Sequence, residues 1–155
     1  MSKSLYGDRI GKIAQLRVGA SAIIFDETRE KILITRREDN GLWCLPGGGM
    51  DPGENIEETC SREVWEEVGL RVHVGRLIGV YTTPHRITEY ADGNLVQFVS
   101  FSFEAEPYDG EAGTSDEVTE VGYFTPAEIE DMPLMEHHWI RIQDALEGQT
   151  ATFVR

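Results

Sequence analysis

The stretch from Gly48 to Leu70, GGMDPGENIEETCSREVWEEVGL, constrains this chain more than any other. A glycine-rich turn runs into one helix with a crowded acidic edge. Asn55 and Glu58 stand at the spacing of a helix-start capping pair. Gly69 sits where a helix closes in the left-handed conformation. The spacing predicts a helix of about four turns over Asn55 to Val68. At 100° per residue, Arg62, Glu63, Glu66 and Glu67 share one broad arc. Ile56, Cys60, Val64 and Val68 recur every four residues on the neighbouring face, the pattern of a buried stripe.

Carboxylates on one helical edge repel each other in water. A solvated charged face is the ordinary reading of such an edge. Two features argue for more. The acids lie beside an apolar stripe, and Gly47-Gly48-Gly49 precedes them. Successive glycines let a backbone approach something closely, and their carbonyls can act as ligands. Hard divalent cations such as Mg²⁺ take clustered carboxylate and carbonyl oxygens. A cation would turn the repulsion into binding energy.

These residues resemble the Nudix box, which reads Gly, five residues, Glu, seven residues, Arg-Glu-aliphatic-any-Glu-Glu-any-Gly-aliphatic. Gly48, Glu54, Arg62, Glu63, Val64, Glu66, Glu67, Gly69 and Leu70 fill it without departure. Seven fixed residue types at several per cent each match by chance less than roughly 10⁻⁸ of the time at a given start. The flanks also look like the family, from about Arg17 to Leu146.

The resemblance implies roles for particular residues. Glu63, Glu66 and Glu67 would bind Mg²⁺, or Mn²⁺, with the Gly47 carbonyl joining them. Arg62 would orient the glutamates, and Glu54 would brace the loop against the helix. Glu63 and Glu117 are the two candidates for general base, with Glu120 behind Glu117 as the further glutamate before an aromatic-containing strand. The family sets an arginine of an early strand against substrate phosphate, a role open to Arg36 or Arg37. Alternation puts Arg37 on the less apolar face, so Arg37 is preferred, provided the strand runs unbroken. Gly48 would approach the substrate. Pro84, His85, Arg86 and Tyr90 lie in a segment expected to overhang the site as a loop or ribbon, and are candidates for substrate contacts.

The rest of the chain bounds the class. A length of 155 residues suits one domain, with residues 1–16 as a polar lead-in or edge element, 17–146 as the core and 147–155 as a tail. A chain 40% hydrophobic and 27% charged has an ordinary soluble composition. No apolar run is long enough to cross a bilayer, and the N-terminus lacks the apolar stretch of a secretion signal. Cys44 and Cys60 form no close-spaced motif, so a reducing cytoplasm with two small core thiols is expected. The net charge of -14 argues against a long nucleic-acid partner, which needs a basic footprint. A small phosphorylated substrate escapes that objection when a metal offsets the local charge.

Strands are expected over Arg17 to Asp26, Lys31 to Arg37, Leu42 to Pro46, Arg71 to Thr82 and Leu95 to Glu106. Asp92-Gly93 supplies a turn. Pro107 to Ser115 reads as a surface loop. Thr125 and Pro126 open a short helix. Met135 to Glu147 holds a closing helix with Trp139, Ile140, Ile142 and Leu146 as its apolar set. The adjacent His137 and His138 read as ordinary surface histidines rather than paired ligands. Trp43 reads as a packing residue.

The pattern gives an α/β domain. The resemblance narrows it to the Nudix fold, a mixed sheet sandwiched between helices. It also implies a Mg²⁺-dependent pyrophosphohydrolase of a small nucleoside diphosphate derivative, with ADP-ribose or a nucleotide sugar favoured. A nucleoside triphosphate substrate, oxidised nucleotides included, is the rival. A non-catalytic nucleotide sensor on the same fold is the alternative of another class. Self-association into a homodimer stays open.

Overall fold

Helix α1 (Ile56–Val68) starts and stops as its local chemistry dictates. The Asn55 side chain accepts the Glu58 amide while the Glu58 carboxylate accepts the Asn55 amide, and Gly69 closes the helix at φ 74°. Cys60, Val64 and Val68 are fully buried along one stripe, with Ile56 partly buried beside them. Full burial of each valine contributes about 1.5–3 kcal/mol.

A computed structural model describes residues 2–155. The strands are β1 (Lys3–Tyr6), β2 (Gln15–Ile23), β3 (Ile32–Arg37), β4 (Trp43–Cys44), β5 (Gly47–Gly49), β6 (Arg71–Thr82), β7 (Arg86–Glu89), β8 (Leu95–Asp109), β9 (Val118–Phe124) and β10 (Phe153–Val154). A single 3-10 turn covers Ile10–Ile13, and two further helices are α2 (Pro126–Glu130) and α3 (Glu136–Leu146). The larger sheet has seven strands, with β1, β7, β8, β2 and β5 in order; β6 also pairs with β8, and β10 with β6. β2 and β8 run parallel from Gln15↔Val96 to Ile23↔Glu104, as do β10 and β6, while β5 with β2, β6 with β8, and β7 with β1 and β8 are antiparallel. A small antiparallel sheet carries β4, β3 and β9. The α/β class and mixed sheet between helices are therefore as expected.

Strand alternation splits the core in two. Ala20, Ala22 and Ile24 join Cys60, Val64 and Val68 beneath α1. Ile23 faces the other way and joins Ile32, Ile34, Leu45, Ile78, Ile129 and Ile142 beneath α2 and α3. Trp43 is a packing residue, edge-on to Phe124. Both cysteines are buried free thiols.

Several segments differ from expectation, each because long-range pairing recruits residues whose local signals are weak. The three glycines are a strand, not a turn, because β2 offers them a full edge. Of the loop and the ribbon expected over residues 83–91, the ribbon is found: Arg86–Glu89 is a strand paired with β1 and the start of β8. β8 runs on through Pro107 to Asp109 because β6 matches it there, so the surface loop begins later. The tail returns to the sheet as β10. Helix α3 buries His138, Arg141 and Asp144 together with Ile142 and Ala145, while Leu146 is exposed. His138 is thus not a surface residue. Its Nδ1 accepts the Leu45 amide at 3.1 Å, which satisfies it in the interior.

Candidate active site

Strand β5 and helix α1 meet along the acidic edge. Odd positions of β5 turn their amide groups away from β2. The Gly47 N–H donates to Glu67 Oε2 at 3.2 Å, and the Gly49 carbonyl accepts from Arg62 Nη2 at 2.9 Å. The same alternation turns the Gly47 carbonyl toward the helix. A Cβ at Gly48 would stand 2.5 Å from the Glu63 carboxylate carbon. Only a glycine leaves the room that carboxylate fills.

Arg62 organises the edge. Its Nε donates to Glu54, Nη1 reaches Glu63 at 2.9 Å and Glu66 at 3.1 Å, and Nη2 also reaches Glu54 at 3.1 Å. Glu54 further accepts the Asp51 amide at 3.1 Å and the Thr59 hydroxyl at 2.8 Å, so it ties the turn to the helix. Arg62 and then these neutral donors hold Glu54 down to about 2.

The acids differ in burial, and that sets their protonation. Burial pushes Glu67 up to about 8; the Gly47 amide and Arg37 oppose this, while Glu63 and Glu117 reinforce it. Burial also raises Glu63 above the usual carboxylate range, against the pull of Arg62 and with the push of Glu66 and Glu117. A carboxylate held neutral by desolvation and like charge is poised to ionise when a cation arrives.

A groove over these residues is lined by Glu63, Glu66, Glu67 and Glu117, with Arg37 and Tyr90 opposite. Of the two late glutamates, Glu117 reaches the groove; Glu120 instead pairs with Arg36 at 2.6 Å near the surface. Arg37 faces the groove and Arg36 does not, although the pairing of β3 with β9 shifts register between them. The extra residue, Thr119, belongs to β9, so alternation along β3 survives and Thr35 and Arg37 share a face. Arg37 is bound by both oxygens of Asp39, at 2.8 and 2.9 Å. Burial would raise Asp39, but Arg37 overrides it and holds the carboxyl at about 2.

Arg86 faces a second cavity that shares Gly47, Gly48 and Gly49 with the groove. His85 does not face either. It is half exposed, and its Nδ1 accepts the Arg9 amide at 3.0 Å beside Asp8. β7 alternation sends the side chains of this segment to different sides, and the N-terminal residues claim His85. Sequence reasoning also missed Asp39, His138 and Arg141. The signal for the last two was the three-residue spacing of polar groups in a helix without one clean apolar face.

The donor set for a cation is carboxylate and carbonyl oxygen throughout, the chemistry that Mg²⁺ and Mn²⁺ take. The space that Gly48 leaves for Glu63 fits the same reading. Among the described residues no three His, Cys, Asp or Glu side chains stand grouped as a ready cage. Arg62 engages Glu63 and Glu66 instead.

Residues 15–145 match the family profile described as NUDIX domain. A MutT-like protein from Streptomyces ambofaciens is 40% identical over 118 residues, covering 76% of this chain and 70% of that protein. An ADP-ribose pyrophosphatase from Methanocaldococcus jannaschii is 36% identical over 101 residues, 63% of this chain and 56% of that one. Among solved structures, a MutT NUDIX hydrolase from Burkholderia pseudomallei superposes with TM-score 0.70 at 27% identity, covering 84% of this chain and 98% of that one. A UDP-X diphosphatase shares the fold at TM-score 0.72 and 22% identity, over 92% of this chain and 68% of the other. The chain therefore belongs to the NUDIX domain family, whose members hydrolyse phosphoric anhydrides.

Proposed function

We propose that this protein is a divalent-cation-dependent pyrophosphohydrolase that cleaves the diphosphate linkage of a small nucleoside diphosphate derivative, of the ADP-ribose or nucleotide-sugar type. One observation carries the reading: three carboxylates of α1 face a glycine strand whose Gly48 gives Glu63 its room. The relative from Methanocaldococcus jannaschii, named an ADP-ribose pyrophosphatase, supports the choice of substrate type.

Glu63, Glu66, Glu67 and the Gly47 carbonyl are the residues that would hold Mg²⁺ or Mn²⁺. Such a cation, when bound, would supply charge neutralisation at the diphosphate and a more acidic water. The chain supplies the rest. Arg62 orients Glu63 and Glu66 by charge-assisted hydrogen bonds. Arg37 brings positive charge to the groove wall, where it attracts substrate phosphate. Glu117 and Glu63, both lining the groove, are the groups able to take a proton from the attacking water. In-line attack on the departing phosphate requires that these groups hold the water in place.

A nucleoside triphosphate substrate is the second reading. A Bacillus subtilis relative named a putative 8-oxo-dGTP diphosphatase is 46% identical over 66 residues, 43% of this chain and 44% of that one. Cleavage assays across diphosphate derivatives and triphosphates, with mass spectrometry of the products, separate the two. Turnover of triphosphates alone, with release of pyrophosphate, would reject the first reading.

A further inference from the structure

Along β5, adjoining the acidic groove, lies a cavity of about 140 Å³. Its lining includes Arg86, Arg141, His137 and His138 and, among the described residues, no aspartate or glutamate. That is unexpected in a chain with 28 acidic and 14 basic residues. Arg141 is 5% exposed. Its Nη1 donates to Ser21 Oγ at 3.2 Å, and its Nε has no hydrogen-bond partner among the described residues. The Nε of Arg86 is likewise buried without a partner.

Carboxylates on the neighbouring elements are committed elsewhere. Asp144, one turn along α3 from Arg141, accepts the Tyr81 hydroxyl at 2.9 Å and both donors of Arg155 at 3.0 and 3.1 Å. Asp39 is taken by Arg37. Glu136 exerts a distant pull on Arg86, yet no carboxylate of the described residues lies in ion-pair range of Arg86 or Arg141. The histidines do not add charge of their own. Burial, with Arg86 and Arg141 behind it, keeps His137 near 2 and His138 well below its ordinary value. Arg141 lies 5.4 Å from the Tyr81 ring centroid, but among the described residues neither guanidinium has a carboxylate to neutralise it. A buried cation of this kind calls for an anionic partner.

The cavity and the acidic groove share Gly47, Gly48, Gly49 and Arg37. Ser21, which holds Arg141, is the pairing partner of Gly47, whose amide holds Glu67. From this arrangement we infer that the cavity is an oxyanion site of the phosphate class, and that the substrate carries a further phosphate beyond the anhydride cleaved in the groove. This deepens the functional reading above and rests on it for the identity of the groove. The substrate lies across the glycine strand with its scissile linkage over the acids and its second anionic group against Arg86 and Arg141. A fork of guanidinium donors suits a phosphate group.

Inorganic phosphate in EDTA is the direct probe, with chloride at matched ionic strength as the control. Thermal unfolding of the full chain should show a rise of about 5 °C or more at saturating phosphate. Arg141→Gln and Arg86→Gln should each weaken the phosphate midpoint about tenfold or more. Arg141→Lys, which keeps the charge, should weaken it less. Arg86 is less buried than Arg141 and provides the test should Arg141 variants fail to fold. Glu67→Gln should keep the phosphate response while losing turnover, so failure of the catalytic reading is seen separately. Two arms then identify the source of the anion. A diphosphate derivative bearing a terminal phosphate should have a lower KM than its dephosphorylated counterpart, and Arg86→Gln should erase that difference. Binding of free phosphate with no such KM difference would overturn the substrate assignment. No phosphate-dependent stabilisation, or one unchanged in a folded Arg86→Gln protein, would overturn the site itself.

Discussion

Gly48 and Glu63 approach so closely that a methyl group on Gly48 would sit 2.5 Å from both the carboxylate carbon and Oε1 of Glu63. The residues are fifteen positions apart and belong to a strand and a helix that share no hydrogen-bond ladder. The first glycine of the box and its first helical glutamate are thus matched in shape. Gly48→Ala should displace Glu63 and lower kcat/KM about 10- to 100-fold. The melting temperature should change little, because the displaced atoms end a flexible side chain and Gly48 does not have a positive φ. Steady-state kinetics beside thermal unfolding checks both halves. Unchanged kcat/KM would mean that Glu63 has no part in the chemistry.

Glu67→Gln should lower turnover by about three orders of magnitude or more with the fold intact, since it removes a proposed ligand and leaves the packing in place. Circular dichroism with an activity assay tests this. Activity at the wild-type level would remove Glu67 from the site.

The same residue sets a pH dependence. Burial raises the Glu67 carboxyl from 4.5 to about 8. A raised folded pKa means stability that is fully present below about 4.5 and is lost as pH climbs through about 8. Between pH 5 and 9, metal-free wild type should lose stability relative to Glu67→Gln, in which no proton is released. Urea unfolding of both proteins in EDTA measures the difference. Mg²⁺ competes with that proton, so its stabilising effect should be larger at pH 8.5 than at pH 5.5. An equal effect at both values would contradict direct binding to Glu67.

Arg62→Lys should behave as a severe change. Lysine cannot reproduce a fork that serves Glu54, Glu63, Glu66 and the Gly49 carbonyl together. A fall in activity of about tenfold or more, with weaker metal affinity by calorimetry, is expected. Retained metal affinity would show that orientation of the acids does not depend on the guanidinium.

Val64 tests the rotation of the helix. It is fully buried among Ala20, Ala22, Cys60 and Val68. Val64→Ala should destabilise the protein by about 1–3 kcal/mol in chemical unfolding, with catalysis near normal in the folded fraction. Exposed Trp65, one position along, should tolerate alanine far better.

Helix α1 was legible in the amino-acid sequence because its determinants are local. The Asn55–Glu58 cap, the Gly69 stop and the spacing of Arg62 from its acids all act within a few residues. Glu117 could be named only by resemblance, since its arrival in the groove with Glu63 depends on how β9 pairs with β3 across more than eighty positions. The glycines and Arg86–Glu89 became strands for the same reason: each pairs with an edge that distant segments built. The cationic cavity was hidden altogether. His138 and Arg141 looked like ordinary helix residues until α3 packed against β6 and Arg141 reached Ser21, which the Gly47 pairing had already placed. Short-range hydrogen bonding and turn chemistry are written along the chain, whereas long-range strand order and the burial of charge are decided only when the core closes.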